Sequence, residues 1–346
     1  MFLVAGAVMA REVLAIHAVE RRVLMMGTRL DLRVEASDRA LAVAASQRIV
    51  AAMEAVEERL STWRDDSELA AFNRAPVGEW AELSPQLGDD LAEAVRWARA
   101  TDGAFDPTVG ALVNVWGLRI GGREPSPGEL IAARATVGAG GLEVDGQRGR
   151  RLVSGVVVEE GGFGKGVALR EGGDAGVAAG ATCVVLDLGG QWLVTGACSH
   201  QRIGVADPGD RQREMAWLEL ANGSVATSGN SERSIEVGGV TLGHLLDPRT
   251  GRPAPDHGSV TVVVADPVAA DCLATAVAVL GPEVGPTVAA RAAPGAGLIL
   301  ARVDAAGRVR LKVTRGLETR LTVAPTVTLE VLDWPVPRAT GPPISG

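Results

Sequence analysis

The sequence predicts an α+β fold, and three observations carry that prediction. Residues 29–35 (Arg-Leu-Asp-Leu-Arg-Val-Glu) alternate polar and apolar side chains, the period of a half-buried strand. Apolar residues then recur at spacings of three and four through Leu41, Ala45, Ile49, Met53, Val56 and Leu60, the stripe of an amphipathic helix. Beyond them, strand-like and helix-like runs follow one another with no strict βαβ alternation and no internal repeat.

The remaining elements follow in chain order. Ser84-Pro85 opens a second helix, because Ser accepts free amides at a helix start and Pro suits a first turn. Leu87, Leu91, Val95 and Ala98 fall on one face of it. Residues 121–128 form a Gly- and Pro-rich loop, and strands are expected at 152–158, 183–188, 202–206, 215–220, 259–265 and 297–303. Residues 171–181 carry so much Gly that they make a poor helix on propensity. The last helix starts after Asp266, which can cap it, with Pro267 in its first turn, and Gly281-Pro282 ends it. One domain is expected over 23–325, with an N-terminal extension at 1–22 and a C-terminal segment at 326–346, disordered from 335.

Composition excludes several classes. Hydrophobic residues at 47% against 22% charged fit a folded chain with a sizeable core rather than a disordered one. A net charge of −8 without any basic run speaks against nucleic-acid binding. Met1–Ala10 is apolar, but about ten residues fall well short of the ~20 that span a bilayer, so no transmembrane segment is expected. No basic stretch precedes that run and no Cys follows it for lipid attachment, which leans the location toward the cytoplasm. Cys183, Cys198 and Cys272 are odd in number, widely spaced and without a Cys-x-x-Cys pair, so neither a disulfide framework nor a zinc site is expected.

Chemistry concentrates in a few places. Within residues 269–281, Asp271 and Thr275 are the only strongly polar side chains, and helical spacing puts them on one face, one turn apart. A carboxylate beside a hydroxyl suits a hard cation such as Mg²⁺. From the helix alone, an acid near its start is more simply accounted for by the dipole and solvent. Gly161-Gly162-Phe163-Gly164-Lys165-Gly166 lacks the Walker spacing and reads either as a plain turn or as bare backbone approaching a phosphate, with Lys165 neutralising charge. His244 is one of only four histidines, and Asp247 three residues on is within reach of orienting its ring.

In their joint order these patterns resemble the ApbE family, the FAD:protein FMN transferases. The matching motifs are Met26-Gly27-Thr28, Leu60-Ser61-Thr62-Trp63, Gly103-Ala104-Phe105-Asp106-Pro107-Thr108-Val109-Gly110 and the Gly161–Gly166 loop. They continue with Leu188-Gly189-Gly190, Thr227-Ser228-Gly229, residues 244–251 from His244 to Gly251, and Ala270-Asp271-Cys272-Leu273-Ala274-Thr275-Ala276. The resemblance implies a two-lobed α+β fold with mixed sheets and packed helices, the cofactor site lying between the lobes. It implies an enzyme that moves FMN from FAD onto a Thr or Ser hydroxyl of an acceptor protein and releases AMP, with Mg²⁺. By the same resemblance Asp271, Thr275 and the Gly162 carbonyl would hold Mg²⁺, and Lys165 and Glu159 would contact the nucleotide. Met26 and Trp63 would flank the isoalloxazine, with Trp63 where many members have Tyr. Ala104, Phe105 and Asp106 would hold the adenosine end, Leu245 would contact the cofactor through its backbone, and His244 would deprotonate the attacking hydroxyl. Glu159 stands where the family usually has Asp, Gln191 where Asp is usual, Asn230-Ser231 where Asp-Tyr is usual, and Gly243 where a His often precedes His244. Those departures leave two other readings, a non-catalytic FAD-binding protein and an FAD pyrophosphatase giving FMN and AMP.

Overall fold

In the computed structural model, residues 16–230, 234–237 and 239–332 are described. Met1–Ala10, Ser231 and the tail from Pro335 lie outside them. Strands β1 (His17–Met25) and β2 (Thr28–Ala36) pair antiparallel with Met25 opposite Thr28, so Met26 and Gly27 alone make the turn. Both have positive φ, 48° and 66°, the twist-matched geometry of a two-residue hairpin. Gly27 takes it freely, whereas Met26 holds it against its own side chain.

Asp38 caps α1 (Arg39–Leu60) by accepting the Leu41 amide at 2.9 Å. The expected stripe is buried from Ala45 through Leu60, while Leu41 lies off it and is 38% exposed. Next come α2 (Glu68–Arg74), β3 (Ala81–Glu82) and α3 (Pro85–Ala100), the last capped by Ser84 at the Leu87 amide, with Leu87, Leu91, Val95 and Ala98 buried. Helices α4 (Gly110–Val115) and α5 (Pro127–Arg134) precede β4 (Leu142–Asp145) and β5 (Arg148–Arg151), which form a small sheet with β3. The strand expected at 152–158 is absent. Val156 and Val158 are buried there, but among the described residues the only ladder contact is a bridge from Val157 to Val109. A short apolar run signals burial without specifying a partner.

The glycine-rich stretch is a full helix, α6 (Gly164–Ala178), contrary to its propensity. Packing explains it. A Cβ on Gly172 would lie 2.8 Å from Met53 Cγ, on Gly173 2.5 Å from Leu193 Cδ2, and on Gly176 2.8 Å from Ile49 Cδ1. The glycines let α6 sit flush against α1 and the sheet, and that tertiary contact outweighs the helix penalty.

Strands β6 (Cys183–Leu188), β7 (Gln191–Gly196), β8 (Gln201–Asp207), β9 (Asp210–Leu220) and β10 (Gly223–Gly229) follow. Two hairpins, β11 (Ser234–Val237) with β12 (Val240–Gly243) and β13 (Leu246–Asp247) with β14 (Arg252–Pro253), lead to β15 (Ser259–Val264) and α7 (Pro267–Ala292). The chain closes with β16 (Gly297–Val303), β17 (Val309–Thr314), β18 (Leu321–Val323) and β19 (Thr328–Leu332).

The central sheet runs β1-β2-β6-β7-β10-β15-β16-β17-β19, antiparallel throughout except for the parallel pair β17/β19. The limits expected at 22/23 and 325/326 do not follow this sheet: the first cuts β1 and the second leaves β19 outside. Alternation along β6 sends Val184, Leu186 and Leu188 into the helix-side core with α1 and α6. Cys183 and Val185 face a second core under the sheet β18-β9-β8.

Cys183 is bonded to Cys198, with Cα atoms 4.9 Å apart, and Cys272 is free and buried. This corrects the expectation from spacing: the β6–β7 hairpin sets Cys183 opposite Gly196 and so brings the two sulfurs together.

Asp266 caps α7 at the Ala269 amide, and the helical run breaks at Gly281 (φ 76°, ψ 178°) before Pro282 starts a second segment, as the sequence predicts. By length and composition α7 could cross a bilayer, but it is a mostly buried helix packed against α3, α6, β10 and β15. Arg170 pairs with both Glu93 and Asp266, joining α6, α3 and the α7 cap. Arg59 pairs with Asp90 and Glu171 and so joins α1 to α3 and α6.

Candidate active site

A cleft of about 910 Å³ separates the sheet-and-helix body from a smaller cluster built by α4, α5 and the β13–β14 hairpin. Trp116 Nε1 donates to the Gly251 carbonyl at 2.8 Å and Arg134 Nε to the Arg249 carbonyl at 2.6 Å, fixing the hairpin to those helices. Met26, Trp63, Ala104, Phe105, Asp106, Glu159, Gly162, Lys165, His244, Leu245 and Thr275 all line the cleft, and Asp271 lies buried one turn from Thr275.

The floor is the start of α6. Phe163 precedes it and offers no side-chain cap, so its first amides need other partners. One comes from α7: Asp271 Oδ2 accepts the Gly166 amide at 3.0 Å. The helices nearly touch here, since a Cβ on Gly166 would lie 2.6 Å from the Pro267 carbonyl oxygen. Gln191, buried beneath, donates Nε2 to that same carbonyl at 3.1 Å, while its Oε1 has no hydrogen-bond partner among the described residues. A Cβ on Gly162 would lie 3.0 Å from Phe105 Cε2 and 3.4 Å from Thr275 Oγ1, so only bare backbone fits between ring and hydroxyl. Met26 reaches the same helix start, with its Cε 3.6 Å from where a Gly164 Cβ would be. Lys165 occupies the second position of α6, beside amides that favour an anion. Among the described residues no group of three or more His, Cys, Asp or Glu could hold a metal. One carboxylate, one hydroxyl and a backbone carbonyl, completed by water or phosphate oxygens, are the donor set Mg²⁺ accepts.

One wall is acidic. Thr62 Oγ1 lies 3.0 Å from Glu159 Oε1 and also bonds to Glu160 Oε2. Arg119 donates to the Thr62 carbonyl at 2.6 Å, to Thr62 Oγ1 at 2.5 Å and to Glu159 Oε2. Its guanidinium lies over the Trp63 ring, 4.9 Å from the centroid. Burial, then the facing Glu160 carboxylate, push the Glu159 carboxyl up to about 7 against the pull of Arg119. Thr62, Glu160 and Arg119 carried no assigned role in the sequence reading. Nothing local marks Arg119, which stands 57 positions from Thr62.

Asp106 faces the cleft, but its carboxylate is engaged with the protein: Oδ1 accepts the Thr108 amide and hydroxyl, and Oδ2 the Ala139 amide at 2.9 Å. Burial raises its pKa while those bonds oppose the shift. Asp106 thereby fixes the loop that presents Ala104 and Phe105. The Leu245 carbonyl accepts the Ala254 amide at 2.8 Å. Asp247 does not turn toward His244 as its spacing suggests. Both its oxygens accept from Arg249, two residues on, in the β13–β14 turn. Asn230 packs its side-chain amide against Gly243, where a Cβ would lie 1.9 Å from Asn230 Oδ1 and would displace it.

The cleft thus sits over two core helices, one capping the other, in a two-lobed α+β fold. The chain belongs to the ApbE family, whose sequence model matches residues 26–300. It is 34% identical over 245 residues to the FAD:protein FMN transferase of Vibrio cholerae serotype O1, covering 68% of this chain and 73% of that one. The Escherichia coli K12 protein of the same name is 30% identical over 287 residues, covering 77% and 80%. The apo crystal structure of Pseudomonas stutzeri flavinyl transferase ApbE superposes with a TM-score of 0.77 at 27% identity, covering 88% of this chain and 96% of that one. The flavin transferase ApbE from Vibrio cholerae gives 0.76 at 27% identity, with 88% and 100% covered.

Proposed function

We propose that this protein transfers FMN from FAD to a Thr or Ser hydroxyl of an acceptor protein, in a Mg²⁺-dependent reaction that releases AMP. The observation that carries the reading is the meeting of Gly162, Thr275 and Asp271 with Lys165 at the α6 start, inside a cleft large enough for a dinucleotide.

In this reading the FAD pyrophosphate lies at the α6 start, where helix amides and Lys165 favour negative charge. Asp271, Thr275 and the Gly162 carbonyl would hold Mg²⁺, which would supply Lewis-acid stabilisation to the pyrophosphate. The Asp106 loop presents Ala104 and Phe105 to the adenosine end, and Met26 and Trp63 flank the isoalloxazine. Glu159 contacts the nucleotide, and Leu245 contacts it through its backbone amide, its carbonyl being engaged with Ala254. The acceptor hydroxyl oxygen bonds to the FMN phosphorus, the bond from that phosphorus to the AMP oxygen breaks, and His244 takes the hydroxyl proton.

The test is incubation with FAD, MgCl₂ and candidate acceptor proteins, followed by acceptor mass and nucleotide analysis. An acceptor gaining one FMN together with free AMP is the expected result. FMN and AMP without acceptor identify a pyrophosphatase, and bound FAD that stays intact identifies a binding protein.

A further inference from the structure

We propose that Arg119 is a positioning residue of the flavin site, setting the Trp63 indole as the wall against which the ring system stacks; this rests on the flavin reading above. Trp63 follows α1 on a short turn and is 61% exposed, and no hydrogen bond holds its indole among the described residues. A large ring so exposed samples several rotamers unless something clamps it. Arg119 is the clamp. Its guanidinium covers one face of the indole, and its two terminal nitrogens are fixed on the residue just before it, at the Thr62 carbonyl and hydroxyl, and on Glu159. One planar group therefore fixes the backbone at Thr62, the ring at Trp63 and the acid across the cleft wall.

Two further observations separate this from a plain ion pair. Arg119 Nε is buried and has no hydrogen-bond partner among the described residues, so the side chain is held by its terminal nitrogens and its face. The geometry also needs arginine: a lysine could pair with Glu159 but could not lie flat on the indole while donating to three oxygens. Holding the ring beforehand removes an ordering cost from ligand binding, so the positioning effect of Arg119 reaches the flavin through Trp63.

The test is a double-mutant cycle on FAD affinity, read by quenching of flavin fluorescence, with Arg119→Lys and Trp63→Ala singly and together, and Arg119→Gln as a second variant. Arg119→Gln and Arg119→Lys are each expected to weaken FAD binding about tenfold, a cation–π contact plus lost preorganisation. Arg119→Lys keeps a cation beside Glu159, so its thermal midpoint is expected to stay within a few degrees. In the Trp63→Ala background the charge-conserving Arg119→Lys is expected to cost less than about twofold, since the ring it positions is gone. An equal loss in both backgrounds, or full affinity in Arg119→Lys, overturns the proposal. Wild-type protein that leaves FAD unbound overturns the flavin reading itself, and this inference with it.

Discussion

The Asp271 carboxylate accepts the Gly166 amide at 3.0 Å, so an acid on α7 caps the start of α6. The same side chain is the carboxylate of the proposed Mg²⁺ site, which makes removal of the group an ambiguous experiment. Asp271→Ala loses charge and cap together and is expected to cost about 1–2 kcal/mol of stability as well as activity. Asp271→Asn retains a carbonyl oxygen for the Gly166 amide. Its melting midpoint should stay close to wild type while Mg²⁺-dependent AMP release falls at least about 100-fold, the order expected when a metal ligand is lost. Denaturant melts and AMP release on both variants check this, and wild-type AMP release by Asp271→Asn defeats the metal assignment.

Contact between the two helices makes a separate prediction. At Gly166 an added Cβ meets backbone, with Pro267 O at 2.6 Å and Val268 Cα at 2.7 Å, and backbone cannot rotate away. Gly166→Ala is therefore expected to destabilise by about 1–3 kcal/mol, as overpacking does. Gly161→Ala, five residues earlier, meets only Glu159 Oε1 at 3.9 Å and should cost well under about 1 kcal/mol. Urea unfolding of the two variants measures the difference, and equal midpoints contradict the close crossing.

What the sequence revealed followed from periodicity and capping. The α1 stripe, the Ser84 and Asp266 caps and the break at Gly281 are local chemistry, and each stands where its residues put it. Position within the sheet was not local. The 152–158 run reads like a strand because it is apolar, yet only Val156 and Val158 are buried and Leu152 and Val153 are exposed. Helix α6 is hidden by glycines whose purpose is visible only once Met53, Ile49 and Leu193 are packed against them. In the cleft, the ordered motifs named every lining residue that lies within a motif, but Arg119 belongs to none. Its role depends on Thr62, Trp63 and Glu159 meeting across the fold.

The disulfide predicts a redox-dependent stability that leaves the cleft alone. Cys183 and Cys198 are 15 positions apart, and closing a loop of that length contributes at most about 3 kcal/mol, less here because the β6–β7 ladder already confines the hairpin. Reduction should lower the melting midpoint by several degrees without changing FAD affinity, since Cys183 faces the core on the far side of the sheet. Alkylation in denaturant should label Cys272 alone before reduction and all three cysteines after it. Three labelled thiols without reductant refute the pairing.

Glu159 predicts how ligand affinity responds to pH. Its carboxyl is pushed up to about 7, first by burial and then by Glu160, with Arg119 opposing. Below that value the group is neutral and the wall carries one negative charge fewer; above it the wall repels an anion. The affinity for FAD, whose pyrophosphate is anionic throughout, is therefore highest on the acid side and falls as pH rises through about 7. Bound anion in turn favours the protonated carboxyl, so the midpoint shifts upward in the complex by linkage. One added charge within a Debye length is expected to weaken binding about fivefold, less at high salt. Glu159→Gln fixes the neutral form and should hold the acid-side affinity at every pH. Metal-free FAD titrations across one unit on either side of that value measure both profiles. A Glu159→Gln profile as steep as wild type places the titration on another group.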